Sequence, residues 1–555
     1  MQNKSKPKAT AKTVKANKKN YTFLIILALV MLLITVLRLR LLSIPLERDE
    51  GEYAYIGQLI LQGIPPYEIA YNMKFPGTYY MYAFFMSIFG QTIKGVHAGL
   101  LIMNLTSIFL IFFLVKKLIN EYAALVSATA FAFLSLGMNI LGFAGHATHF
   151  VIVPALAGTL FLYKALKENK MIHYFLSGIF LSLAPIMKQQ GILFCVFGAL
   201  IMLINFYIQR KDAILINVKR FLIFALGGII PVVLTFIVLK MYGVFDKFWF
   251  WTIVYAQSYE TAVKFNDAMI LFNYSFFPLA GDFYFIWIIS GLGLITMFFH
   301  PLLKKNFKLT FIILFLIFSC LSVCPGFYYR QHYFITVLPA ISILFGIFIS
   351  YLYELSLKDK KYNALKIVSF ILFVLPFIVG ISSQKNYLFK MKPNAICDSI
   401  YGSNPFTQSL TIAKYIKANS DDSDKVAVLG SEPQICFYAN RHSATGYIYT
   451  YGLMEVHENS LKMQKEMINE IEKAKPKFFV VVNVPTSWLV QPGSEKFIFN
   501  WIDPYLQKNK YMIAGIADIY SNATVYKWNE EAYSYKPGSE SYILIFKKSE
   551  ENKTK

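Results

Sequence analysis

Residues 45–55 read PLERDEGEYAY and follow directly on an apolar run, residues 21–42. That run is long enough to cross the ~30 Å hydrocarbon core of a bilayer, so four carboxylates within six residues stand at a membrane surface. Such a cluster is either a solvated turn or a set of ionisable groups kept there for chemistry. The continuation YAYIGQLILQG, residues 53–63, has the amphipathic pattern of a helix that lies on a membrane and would hold the acids at its surface, which favours chemistry.

The rest of the chain is of the same kind. Of its 555 residues 56% are hydrophobic and only 15% charged, against roughly a quarter charged in soluble domains. This is the composition of a polytopic membrane protein, and its 51 Phe and 37 Tyr suit interfaces at headgroup level. The formal charge of +22 comes mainly from Lys and Arg in short loops between apolar runs, which fits orientation against anionic lipid better than nucleic-acid binding. Five cysteines without C-x-x-C spacing provide no metal or redox framework. Cys397 and Cys436 could pair in an extracytoplasmic domain, two free buried thiols being the plainer expectation. The first twenty residues hold seven lysines and no acid. They read as a cytoplasmic tail before an uncleaved first span, because the apolar run exceeds a signal-peptide core and no A-x-A-like site follows.

Apolar runs recur near 21–43, 95–116, 121–140, 146–166, 171–187, 190–209, 220–242, 282–300, 308–325, 331–353 and 364–383, about eleven spans. The run 75–90 is shorter. If it stays at the surface, Lys116 and Lys117, Lys164 to Lys170, Arg210 to Arg220, Lys304 to Lys308 and Lys358 to Lys366 all share the cytoplasmic side with the tail, as the positive-inside rule asks. Residues 44–94 are therefore expected to form one large outer loop, with only Arg38, Arg40 and Arg48 counting against it. The same parity puts residues 384–555 outside. There strand-like runs KVAVLG (425–430), FFVVVN (478–483) and YILIF (542–546) alternate with helical patterns at 405–419 and 458–474, which predicts a small α/β domain. The expected organisation is a tail (1–20), a transmembrane catalytic domain (21–383) and an extracytoplasmic α/β domain (384–555), in the plasma membrane.

With this topology Asp49, Glu50, Glu52, Lys74, His146, His149, Lys188, Lys240, Asp282, Arg330 and His332 collect at the outer surface. Ionisable groups near a bilayer are costly unless they are paired or line a wet cavity, so the collection marks an outward-facing site. Each member has a plainer reading: Lys188 in APIMKQQG snorkels from a span end, and His146 and His149, three apart on one helical face, cap and pack rather than bind a metal, since no third ligand is evident. A transporter or lipid flippase of the cell-envelope glycan pathway is the alternative. Transporters, however, carry internal repeats and polar residues near the midplane, whereas here the charges stand at span ends.

The stretch ERDEGEYAYIGQLILQGIPPYEIAYNMKFPGTYYMYAFFMSIFG resembles the first outer loop of GT-C glycosyltransferases that use polyprenyl-phosphate sugars, a group that contains protein O-mannosyltransferases and lipid A aminoarabinose transferases. The matching features are an Asp-Glu pair soon after the first span, a Pro-Tyr, a Lys-x-Pro and a Phe-Gly. IMKQQG and RQHYFITVLP extend the resemblance to about residue 383. It implies a GT-C fold and transfer of a sugar from a lipid phosphate to an acceptor hydroxyl at the outer face, usually with inversion. In that chemistry a carboxylate takes the proton of the attacking hydroxyl, and fixed cations stabilise the departing phosphate. The resemblance assigns the first role to Asp49, with Glu50 orienting substrate or a neighbour, and the second to Lys74, Lys188, Arg330 and His332. His149, Tyr255 (in the aromatic loop 248–260) and Glu432 are candidates for the acceptor or sugar side. No sugar nucleotide is implied and no metal ligand is assigned. A divalent metal stays open, because GFAGHATHFVIVPALAG lacks a carboxylate that some members carry and places His149 there instead. The acceptor, whether protein, lipid or glycan, is not specified.

Overall fold

A computed structural model describes residues 21–209, 214–257, 263–304 and 307–549. The lysine-rich segment 1–20 lies outside the described residues, as do residues 210–213 and 305–306 of two basic loops and residues 258–262 at the end of the aromatic loop. Among the described residues seven helices are long and apolar enough to cross a membrane: α1 (Thr22–Leu41), α4 (Ile93–Leu118), α6 (Ala147–Glu168), Gln189–Ile208 with α8 (Ile192–Ile208) as its α-helical part, α9 (Ile214–Met241), Leu338–Ser356 and Lys360–Ser383. The bent pair Phe265–Asp282 and Tyr284–Thr296 makes an eighth if it counts as one span, and the shorter apolar helices α5 (Glu121–Leu134), α7 (Met171–Met187) and Phe307–Leu321 lie in three more of the eleven apolar runs. The pair turns by 102°. Its first helix was not among the runs, and Asp282 at the corner accepts hydrogen bonds from the backbone and side chain of Asn139.

Long apolar faces of these helices remain exposed, Ile25, Leu29, Leu32 and Val36 on α1 among them, as a lipid-facing surface requires. Inside the bundle, small residues allow close crossings: a Cβ on Gly178 of α7 would lie 2.1 Å from the Phe224 carbonyl oxygen of α9. Arg38 is buried at the end of α1, where its guanidinium donates to the carbonyls of Ser135 and Gly142 after α5. A cation there satisfies carbonyls left open at a helix C-terminus. Arg40 donates to the Met391 carbonyl. These arginines are thus engaged by the protein itself.

Residues between α1 and α4 form two helices, α2 (Arg48–Leu61) and α3 (Gly77–Phe89). Thirteen residues rise only about 20 Å, so α3 is short for a span. Glu47 caps α2, accepting from the Glu50 N–H at 2.9 Å, and Asp49 and Glu50 occupy its first turn, where the helix dipole favours negative charge. The helix does not lie open on a surface. Arg48 and Glu50 to Leu59 are buried, because the C-terminal region covers the face that α3 leaves free. The covering is tight enough that a Cβ on Gly51 would stand 2.7 Å from the Gln434 Cβ.

The C-terminal region carries one six-stranded sheet in the order β2-β1-β3-β6-β4-β5, with β1 Lys425–Leu429, β2 His442–Ser443, β3 Phe478–Asn483, β4 Tyr511–Ile519, β5 Thr524–Trp528 and β6 Tyr542–Lys548. β2, β1 and β3 run parallel, and the other pairings are antiparallel. β1 is apolar on both faces, as expected of a strand covered by helices such as Phe406–Ala418 and Ser460–Ala474. The loops after β1 and β3, Gly430–Pro433 and Val484–Trp488, meet at the carboxyl ends of the parallel strands and face α2. Open α/β sheets place ligand crevices at such ends. Here the loop after β1 grips the helix: Arg48 donates to the Ser431 carbonyl at 2.6 Å and pairs with Glu432 at 2.9 Å. Cys397 and Cys436 are both buried and free.

Candidate active site

The site forms where the first loop, one end of the helical bundle and the C-terminal sheet region meet, and local ties bring its residues together. The Thr78 hydroxyl donates to the Met187 carbonyl and the Gln189 amide to the Met73 carbonyl, at 2.9 and 2.6 Å. These bonds hold Lys188, at the break between α7 and α8, beside Lys74. The Thr148 hydroxyl, in the first turn of α6, donates to the His332 carbonyl at 2.8 Å. His332 therefore lies against His146, their rings stacked at 3.8 Å and 8°.

Four carboxylates from one turn of sequence end in different environments. Glu50 is fully buried, accepts from the Gly145 N–H at 2.5 Å and pairs with His97 at 2.9 Å. It therefore fixes the loop that carries His146. Glu52 is also fully buried, with one oxygen on the Tyr79 hydroxyl and the other on Lys74, each at 2.6 Å. Burial pushes its carboxyl up to about 7, with Lys74 opposing. Burial, then Asp49 and Glu50 nearby, hold Glu47 well above the usual carboxylate range. Asp49 is the exception. Burial acts to raise it as well, but Lys74, His332 and His146 prevail and keep it well below the usual range. Its side chain is 24% exposed against 9% for Glu47. Environments that drive neighbouring carboxyls apart in this way assign them different roles.

Asp49 Oδ1 accepts from Lys74 Nζ and from the Tyr449 hydroxyl, both at 2.8 Å. Its Oδ2 has no hydrogen bond among the described residues and faces His146 Nδ1 at 3.8 Å. Both ring nitrogens of His146 are buried, and neither has a hydrogen-bond partner among the described residues. Lys188 stacks on the Tyr333 ring at 3.7 Å. Burial pulls its ammonium down to about 7, with Asp49 raising it and Lys74 and Arg330 lowering it. Arg330 rests on the Tyr328 ring at 5.5 Å. Electrostatic interactions thus link Asp49 to Lys74, Lys188 and His332, and Arg330 to Lys188 and His332.

The weaker candidates lie elsewhere. His149 is buried a turn inside α6, outside the Asp49 group. Tyr255 donates to Glu455 at 2.7 Å and packs on the C-terminal region. Glu432 is buried, with Arg48 on one oxygen and the Ser487 hydroxyl on the other. The sequence places His146 in the outer-face collection without a catalytic role, and it gives no signal for Tyr449.

Asp49, His146 and His332 are the described residues that could hold a metal ion, their ligand atoms lying within 4.8 Å of one another. The spacing fits but the charge does not, because a dication at Asp49 Oδ2 would sit between Lys74, held on the other carboxylate oxygen, and Lys188.

Residues 73–238, from the end of the first loop into α9, match the family model described as dolichyl-phosphate-mannose-protein mannosyltransferase. ArnT from Cupriavidus metallidurans in the apo state is similar over 94% of this chain and 98% of its own, at 12% identity and a TM-score of 0.57. The same protein bound to undecaprenyl phosphate is similar over 95% and 98%, at 12% identity and a TM-score of 0.55. The Archaeoglobus fulgidus oligosaccharyltransferase in complex with Zn and sulfate covers 91% of this chain and 72% of its own, at 12% identity and a TM-score of 0.50. No curated protein matches. The fold is the GT-C fold of membrane glycosyltransferases.

Proposed function

We propose that the protein is a glycosyltransferase that moves a sugar from a polyprenyl-phosphate donor to an acceptor hydroxyl at the outer face of the plasma membrane, by inverting displacement. The observation that carries this reading is the sorting of the four carboxylates, which leaves Asp49 ionised, partly exposed and with Oδ2 unoccupied. The acceptor oxygen attacks the anomeric carbon as its proton passes to Asp49 Oδ2 and the bond to the phosphate breaks. Lys74 and Tyr449, bound to Oδ1, turn Oδ2 toward the acceptor. Lys188, Arg330 and His332 face the departing phosphate, whose charge grows as the bond lengthens. The match to the mannosyltransferase model and the ArnT structure bound to undecaprenyl phosphate support a lipid-phosphate donor. The transporter reading has the bent helix pair on its side, but Asn139 already occupies the carboxylate at its corner.

Glycan and lipid analysis of a deletion strain identifies the product. The strain complemented with Asp49→Asn should accumulate less than a hundredth of it with normal amounts of protein in the membrane, and wild-type product in that variant refutes the role of base. For sidedness, a reporter fused after Ser383 should be active only outside the cytoplasm. Activity inside would reverse the topology.

A further inference from the structure

We infer that Tyr449 is a positioning residue for Asp49, so that the C-terminal sheet region completes the site rather than accompanying it; this rests on the role of Asp49 proposed above. Tyr449 comes from a segment 400 residues away in sequence, and its hydroxyl donates to Asp49 Oδ1 at 2.8 Å. Its ring also lies 5.4 Å from Lys74 Nζ, the other donor to that oxygen.

The segment around Tyr449 is anchored on both sides. Ahead of it, the Gly446 carbonyl accepts from the Tyr71 N–H at 2.7 Å, and the Gly446 N–H donates to Glu470 at 2.9 Å. Behind it, the Thr450 N–H donates to the Ser431 hydroxyl at 2.9 Å and the Thr450 hydroxyl to the Ser487 carbonyl at 3.0 Å. Ser431 and Ser487 belong to the two loops at the carboxyl ends of β1 and β3, so the crevice end of the sheet delivers Tyr449 to α2. Two donors on one oxygen stop rotation of the carboxylate and leave the other oxygen for an incoming hydroxyl. A hydrogen bond to the charged form also makes that form easier to keep.

Asp49 is faced by Glu47 and Glu52 from its own helix and its cap, Lys74 from the loop after it, His146 from the start of α6, Lys188 from the α7–α8 break and His332 from the Gln331–Thr336 turn. Tyr449→Phe alters none of these groups and removes one donor from Asp49. The test needs no substrate. Carbodiimides label protonated carboxyls, and mass spectrometry reads labelling of Asp49 against pH in the purified full chain. In Tyr449→Phe the labelling midpoint should move up by on the order of one pH unit, and product in the complemented strain should fall roughly tenfold. Tyr451→Phe, which removes a hydroxyl held by the Thr486 carbonyl in the same segment, should leave the midpoint in place. An unchanged midpoint with wild-type product in a folded Tyr449→Phe protein overturns the inference and leaves the base reading standing. Wild-type product in Asp49→Asn overturns the base reading, whatever Tyr449→Phe does to the labelling.

Discussion

Two ion pairs stand side by side in the first turn of α2. Arg48 meets Glu432 at 2.9 Å, and Asp49 meets Lys74 at 2.8 Å. Their lengths hardly differ, but their surroundings do. Glu432 is fully buried and both of its oxygens are occupied, by Arg48 and by Ser487. Asp49 is partly open and has one oxygen occupied. A buried carboxylate with both oxygens engaged is placed to hold structure together, whereas one that is partly exposed with an oxygen left open can accept a proton. The first pair bolts the C-terminal region to the first loop, and the second is the proposed working group.

The comparison breaks most sharply at the two acids. Asp49→Asn should remove product at least a hundredfold and leave the melting temperature in detergent within a few degrees of wild type. Glu432→Gln should do the reverse in kind: Arg48, itself buried, loses its counter-charge, and the fold should lose about 3 to 5 kcal/mol, read as a lower melting temperature. Equal melting temperatures for the two variants would erase the distinction.

A smaller effect is expected at Lys188. A sugar-linked phosphodiester stays anionic across the physiological range, while Lys188 is charged below about 7 and neutral above it. Binding of the proposed polyprenyl-phosphate-linked donor should therefore be tightest below pH 7 and weaken by roughly tenfold above it. Lys188→Arg should flatten that dependence, since a guanidinium stays charged; an equally steep fall in the variant would take Lys188 out of the phosphate site. The smallest effect is expected from a chelator. With the cations Lys74 and Lys188 on either side of the Asp49 carboxylate, EDTA should leave transfer unchanged, and a loss restored by a divalent ion would show that the Asp49, His146 and His332 group holds one.

His146 and His149 illustrate where reading the sequence stopped. Spaced three apart, they suggest one helical face, but His146 is the N-cap of α6 with extended backbone, φ −59 and ψ 147, so helical periodicity does not relate them. Its ring turns to His332 instead. The strands 425–429, 478–483 and 542–548 were legible because apolar β-branched runs are local signals. β4 and β5 were not read, since YMIAGIADI mixes small and apolar residues without clear alternation and becomes a strand by pairing with β6.

By itself the sequence determined what depends on neighbours along the chain: eleven apolar stretches of crossing length, the α/β character of the C-terminal region, and acids and cations gathered near span ends. Desolvation and chain entropy act on each such segment wherever it sits. Which acid is ionised, which is only a bolt, and that Tyr449 reaches Asp49 were decided by tertiary structure alone. Burial and the second donor come from residues hundreds of positions away, and no local pattern records them.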